Sequence, residues 1–354
     1  MWRNRLNRYR TQKLAVLTAV ITSLTACGGS TAAPDTTDAT GPATAAGGEI
    51  TLYSGRSEEL IADLLADFTT ATGIKVNARY GDSGEMAALL LTEGANSPAD
   101  VFLSQDAGAL GAVRDSLATL PDTTLDKVDA KYRDADGRWT GVSGRVRVIV
   151  YNPDLIETPP SSIDELLDPT LSGRIGFAPT NASWQSFVTG LRVIRGEDGA
   201  KKWLAAFAAN KPVAYEKNSA VRDAVNSGEI ALGLVNHYYL YEKIAAEGAE
   251  AVKAKNQYIG SGDPGGLVNV AGVGILDDAQ NVAASQAFID YLLSPAGQAY
   301  FRDKTFEYPL VTGEKQAADL PALADLEAPA IDLSDLKSIE VTQELLQEVG
   351  LLTK

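Results

Sequence analysis

From Ile50 onward the chain switches repeatedly between a period of two and a period of about 3.6, and this alternation limits its fold most. Ile50 to Tyr53 is a short apolar run that stops at Ser54-Gly55. Leu60, Ile61, Leu64, Leu65 and Phe68 then recur at helical spacing, with Gly73 closing the helix. Ser57 can cap that helix, and Glu58 and Glu59 fall in its first turn, where the helix dipole favours anions. Ile74 to Tyr80 alternates like a strand, Glu85 to Glu93 reads as a second helix, Val101 to Ser104 as a third strand, and Ala107 opens another helix. Such a βαβαβ opening predicts a mostly parallel, doubly wound sheet.

A second set of α/β elements follows. Arg145 to Tyr151, Gly173 to Ala178, Ile230 to Val235 and Val268 to Leu276 read as strands. Ser162 to Leu167, Trp184 to Arg195, Gly199 to Asn210, Ala220 to Ser227, Asn281 to Ser294, Gly297 to Arg302 and Ser338 to Val349 read as helices. The length from Gly48 onward, about 300 residues, exceeds what one hydrophobic core usually serves. Two α/β lobes are expected, residues 49–147 plus 269–310 and residues 148–268 plus 311–354. In open α/β sheets ligands bind beyond the carboxyl ends of the strands, so facing lobes would line one cleft with their strand-end loops.

The N-terminus reads as an export signal over residues 1–26. Arg3, Arg5, Arg8, Arg10 and Lys13 precede an apolar stretch, Leu14 to Leu24, too short to span a bilayer as a stable helix. Leu24-Thr25-Ala26-Cys27 resembles the bacterial lipobox, which implies lipidation of Cys27, the only cysteine in the chain. Residues 28–48 hold no large apolar side chain and are expected to be a disordered tether behind that anchor. The lipid would hold the protein on the outer face of the cell membrane, and the long Thr/Ala/Pro/Asp tether suits a Gram-positive surface. With no further cysteine, disulfides and thiolate metal sites are excluded. The formal charge of −15 becomes −20 once the five basic residues of the signal are removed. That argues against nucleic acid as partner and makes a cation, or a cation paired with an anion, the more natural ligand.

The strongest chemical signal is Asn236-His237-Tyr238-Tyr239 directly after a strand. Adjacent tyrosines can present two phenolates to one hard cation, and a strongly Lewis-acidic ion can drive their deprotonation although a free phenol has a pKa of about 10. Two half-buried aromatics opening a helix would give the same tetrapeptide. His237 is the only histidine. Neighbours at a strand end point to different sides, so it is not expected to converge with the tyrosines. Gly81-Asp82-Ser83-Gly84 matches a serine-hydrolase nucleophile loop, but a nucleophilic Ser83 needs a base held by an acid, and the one histidine lies far downstream. A polar turn into a helix explains the string more simply.

Taken together, the chain resembles the bacterial periplasmic ferric-binding proteins. The resemblance runs from about Ile50 to Leu310 through Ile50-Thr51-Leu52-Tyr53-Ser54-Gly55, Ser97-Pro98-Ala99-Asp100-Val101-Phe102, Ser143-Gly144-Arg145-Val146-Arg147, Pro179-Thr180, Lys217-Asn218-Ser219, Asn236-His237-Tyr238-Tyr239, Asp263-Pro264-Gly265 and Glu307-Tyr308-Pro309-Leu310. It implies an α/β, two-lobed periplasmic-binding-protein fold of type II and a non-enzymatic role: capture of Fe(III) with carbonate or phosphate as synergistic anion. It also implies delivery to an ABC permease and its ATPase by a receptor that is a monomer by default. It places Tyr238 and Tyr239 as iron ligands. Asn181, Ala182, Ser183, Asn218, Asn236 and Arg145 fall on anion-holding positions, with Arg56 and Arg147 as further cleft arginines. Ser57 and Gln105 stand where better-known members carry a histidine and a glutamate, which leaves the third and fourth ligands open; Asp106 can substitute. Trp184 stands near a further tyrosine position and cannot ligate. The same departures keep a second reading open, in which the fold binds a phosphonate, a polyamine or thiamine. A secreted hydrolase using Ser83, or an adhesive lipoprotein without a ligand, are the readings from other classes.

Overall fold

A computed structural model describes residues 48–352; the signal segment, Cys27 and most of the tether lie outside them. Its strands are β1 (Glu49–Ser54), β2 (Lys75–Tyr80), β3 (Val101–Ser104), β4 (Thr140–Tyr151), β5 (Ile175–Phe177), β6 (Val213–Ala214), β7 (Leu232–Asn236), β8 (Lys255–Tyr258), β9 (Val268–Ile275) and β10 (Tyr308–Pro309). The α-helices are α1 (Glu58–Thr72), α2 (Ser83–Glu93), α3 (Ala107–Ala112), α4 (Asp122–Leu125), α5 (Ala182–Ala209), α6 (Asn218–Ser227), α7 (Tyr238–Glu247), α8 (Val282–Leu292), α9 (Pro295–Asp303) and α10 (Ile339–Glu348).

The strands run in the order β2-β1-β3-β9-β4-β7-β5-β6, with β8 and β10 also paired to β4. β1, β2 and β3 are parallel, as the alternating opening predicts, and β5 is parallel to β6 and β7. β9 and β4 are antiparallel insertions between these two parallel sets. β4 changes partners along its length: up to Val146 it pairs with β9, and from Arg147 with β7. The ladder to β9 slips between Gly141 and Ser143. A large apolar core under β1, β3, β4 and β9 includes Ile50, Leu52, Phe68, Phe102, Trp139, Phe288 and Leu292. A second centres on Phe177, Trp184, Phe187, Trp203 and Phe207, whose rings meet at 5.0–5.8 Å.

Several elements differ from the sequence reading. β4 begins at Thr140 rather than Arg145, because Gly141 and Gly144 hide strand character that pairing with β9 and β10 supplies. The helix expected over Ser162 to Leu167 is only a 3₁₀ turn, Glu165–Leu167. Trp184 to Arg195 and Gly199 to Asn210 belong to one helical run, α5, broken at Gly196, where φ is +72°. Ser57 occupies the N-cap position of α1, but its side chain makes no capping hydrogen bond. No helix among the described residues is long and apolar enough to cross a membrane.

The C-terminal segment lies across elements from both ends of the sheet. Leu336 is fully buried. A Cβ on Gly108 in α3 would stand 2.6 Å from the Leu336 carbonyl oxygen, and one on Gly190 in α5 would stand 3.7 Å from a Leu336 methyl. Arg192 of α5 donates to the Ser338 carbonyl (2.9 Å) and the Thr342 hydroxyl (2.8 Å), and Thr189 and Thr342 share a 2.7 Å hydrogen bond.

Candidate functional site

Two strand ends close in the same way. The Ser54 hydroxyl donates to the Arg56 carbonyl (2.9 Å) and accepts from the Arg56 amide (3.1 Å). The Ser104 hydroxyl donates to the Asp106 carbonyl (2.7 Å) and accepts from the Asp106 amide (3.1 Å). Each serine fixes the residue two places beyond it. Arg56 and Asp106 are 2 % and 1 % exposed.

Arg56 and Arg145 converge on Glu307. An Arg56 Nη lies 2.9 Å and Arg145 Nε 3.9 Å from Glu307 Oε1. Neither contact is aligned as a hydrogen bond, and all six guanidinium nitrogens of the two arginines are buried without a hydrogen-bond partner. The other carboxylate oxygen of Glu307 accepts from the Ser143 hydroxyl (2.7 Å) and the Thr305 hydroxyl (3.3 Å). Burial pushes the Glu307 carboxyl up, but the Arg56 and Arg145 charges outweigh it and hold the group ionised. Burial and the like charge of Arg56 depress Arg145, with Glu307 pulling the other way. A buried pair of cations with unused donors is costly unless something anionic completes it.

Tyr238 and Tyr239 open α7 with their rings stacked, centroids 4.2 Å apart. Tyr238 is 5 % exposed. Its phenol is pushed well up by burial and by Tyr239, with Arg145 and Arg56 pulling back. Burial therefore favours the neutral phenol. His237 does not join them: its Nδ1 accepts from the Val146 amide (3.1 Å) and its Nε2 donates to the Phe306 carbonyl (2.9 Å). Both ring nitrogens are spent on backbone, so the imidazole ties β4 to the segment before β10.

Asn181 caps α5. Its Oδ1 accepts from the Ser183 amide (3.0 Å), the Ser183 hydroxyl (2.7 Å) and the Asn218 side-chain amide (3.0 Å). The Asn218 amide also donates to the Ser183 hydroxyl (3.1 Å), which leaves Asn218 Oδ1 buried and unpartnered. Asn181, Ser183 and Asn218 thus form one polar knot at the N-terminus of the helix that Ala182 opens, with these side-chain donors spent within it and one acceptor oxygen left over. Asn236, 4 % exposed, ends β7 opposite Arg147.

Four expected cleft residues make no hydrogen bond or ion pair with the Glu307 cluster or the tyrosine pair, although Asp106 lies in the field of Arg145 and Arg147 in that of Tyr239. Arg147 lies beneath the 181–183 loop, its guanidinium donating to the Ser183 and Leu234 carbonyls (both 3.2 Å) and covering the Trp184 and Phe187 rings at 5.3 and 4.9 Å. Burial lowers it to about 9. Ser57 is exposed, and Gln105 is half-buried with its backbone amide donating to the Ser83 hydroxyl (2.8 Å). Asp106 spends Oδ1 on the Ala109 amide at the start of α3 (3.1 Å), while its Oδ2 is buried without a partner. Ser83 is 1 % exposed and lies against Gly55, with the only histidine engaged elsewhere, so no nucleophile–base pair forms. Sequence reasoning missed Glu307 as a site residue and Asn269 altogether. Asn269 faces Arg145 across the β4–β9 ladder and holds the Ala107 amide (3.3 Å). The one available signal for Glu307 was a lone acid before Tyr308-Pro309.

A family model described as bacterial extracellular solute-binding protein matches residues 85–338. An Fe(3+)-binding periplasmic protein of Serratia marcescens is 36 % identical over 308 residues, covering 86 % of this chain and 90 % of its own. Iron-bound HitA of Pseudomonas aeruginosa superposes with a TM-score of 0.81 at 32 % identity, covering 86 % of this chain and 99 % of its own. A Trichodesmium protein solved with iron and citrate gives 0.75 at 30 % identity, covering 86 % and 100 %. The fold is the type II periplasmic-binding-protein fold that the resemblance implied, and the relatives are iron-binding transport proteins rather than enzymes. The chain belongs to the bacterial extracellular solute-binding protein family, in its group of ferric-binding periplasmic proteins.

Proposed function

We propose that this protein captures Fe(III) together with a small oxyanion and hands it to an ABC permease and its ATPase. The observation that carries this is the placement of two stacked phenols, Tyr238 and Tyr239, within the field of two buried arginines whose donors are unused. The tyrosines supply hard oxygen ligands. Arg56 and Arg145, with the Asn181–Ser183 knot, Asn218 and Asn236, hold carbonate or phosphate, which completes the coordination sphere in place of the missing histidine and glutamate. Among the described residues no group of three or more His, Cys, Asp or Glu could hold a metal ion, which throws the weight onto phenolate and exogenous oxygen. Residues 49–147 plus 269–310 and residues 148–268 plus 311–354 form the two lobes, joined by strands near Arg145 and Val270. Closure around the ligand excludes water and makes the form the permease recognises. Release follows reopening, protonation of phenolate, loss of the anion or reduction of the iron. Cys27 anchors the receptor, a monomer, to the cell membrane.

The test is a visible absorption titration of the iron-free protein with ferric citrate and bicarbonate. Tyrosinate-to-Fe(III) charge transfer gives an orange-red band. A saturating one-to-one band that Tyr238→Phe or Tyr239→Phe abolishes is expected. No band, or one indifferent to both substitutions, refutes the reading.

A further inference from the structure

We propose that Glu307 is an internal counter-ion for the Arg56–Arg145 pair, occupying their field in the iron-free protein so that an exogenous oxyanion binds firmly only once a ferric ion adds its own positive charge. The inference deepens the ferric reading and rests on it for the identity of the cation. Glu307 is fully buried and pinned from behind by Ser143 on β4 and by Thr305. Its forward oxygen reaches both guanidinium groups at ion-pair distance without taking their hydrogen bonds. The carboxylate therefore offsets one of the two charges while engaging only one Arg56 nitrogen closely, which leaves the other guanidinium donors free. These three groups together carry a net charge of about +1 rather than +2, and burial pushes the carboxyl of Asp106, which also lies in the field of Arg145, towards its neutral form; the remaining charge is enough to attract an oxyanion and too little to hold it alone. A unit charge acting over about 6–8 Å at an effective dielectric of about 20 changes anion affinity by tenfold or more. This predicts the opposite of a merely structural role: neutralising Glu307 should tighten anion binding in the absence of iron.

Isothermal titration calorimetry of the iron-free protein with inorganic phosphate, repeated with bicarbonate, tests this. Glu307→Gln is expected to bind phosphate at least about tenfold more tightly than the unsubstituted protein, and Arg56→Gln at least about tenfold more weakly. The double variant R56Q/E307Q, which loses one charge of each sign, should return to within about threefold of the starting affinity. Unchanged or weaker phosphate binding by Glu307→Gln overturns the proposal, as does phosphate binding by neither protein. If Glu307→Gln does not fold, a double variant as weak as Arg56→Gln alone overturns it. Loss of the charge-transfer band in the unsubstituted protein would sink the ferric reading while leaving the phosphate series to stand or fall by itself.

Discussion

Replacing His237 by glutamine should remove a pH dependence of stability whose size follows from the imidazole's surroundings. The ring is fully buried between the Val146 amide and the Phe306 carbonyl. Burial lowers it from 6.5 to about 4, against the opposing pull of Phe306 and Glu307. A histidine depressed in the folded state stabilises fully above its unfolded pKa and loses that stability as pH falls towards the folded value. The window is therefore pH 6.5 to 4. The loss is about 2 kcal/mol by pH 5 and about 3 kcal/mol at its limit, at about 1.4 kcal/mol per pKa unit. His237→Gln keeps a donor for Phe306 and an acceptor for Val146 but cannot titrate. Glu242, raised to about 7 chiefly by burial, acts in the opposite direction over an overlapping range, so the comparison must be differential. Urea unfolding of both iron-free proteins at pH 7.5, 6, 5 and 4.5 gives the difference directly. His237 is the only histidine, so no other imidazole contributes. A difference between the two proteins that stays flat from pH 7.5 to 5 refutes the argument.

Three further outcomes are expected from equilibrium unfolding. Gly55→Ala places a Cβ 2.0 Å from the Ser83 hydroxyl oxygen and 2.8 Å from its backbone Cα, and should cost about 1–3 kcal/mol. Asp100→Ala removes the acceptor of the Thr51, Gln280 and Asn281 amides at 2.8–2.9 Å, stranding donors at the β1–β3 edge, and should cost about 2–4 kcal/mol. Phe207→Ala empties the centre of the second aromatic cluster, where Phe207 stacks on Trp203 at 5.0 Å and 11°, at about 3–5 kcal/mol. Full retention of stability by any of the three would contradict the packing described.

Much of the fold was legible because local periodicity and strand order agree from Ile50 to Ser104. Two local groupings were legible as well: Asn181, Ser183 and Asn218 meet at the start of α5, and Tyr238 and Tyr239 open a helix directly after β7, because loops beyond strand ends lead straight into helix starts in such sheets. Arg145 and Arg147 were not separable. Their spacing puts them on one strand face, yet β4 changes partners between Val146 and Arg147, so one guanidinium enters the Glu307 cluster and the other slips under Trp184. Ser57 looked like a cleft residue because it stands where better-known ferric-binding proteins carry a histidine, but the Ser54 turn buries Arg56 and leaves the next residue at the surface. Glu307 could not be placed from sequence, since its partners Arg56, Ser143 and Arg145 lie 162 or more residues upstream and meet it only through the β4–β10 pairing.

That same strand, β4, has a consequence for how the chain can be divided. It pairs with β9, β10, β7 and β8 along its twelve residues, so its backbone groups belong to both parallel sets at once. Amide hydrogen exchange along Thr140 to Tyr151 should be among the slowest in the protein. A cut between Arg147 and Val148 would leave one fragment with the first two-thirds of the strand and the other with the last third, each with an open edge, and fragments split there should aggregate when expressed separately and recover native structure only when mixed while still unfolded.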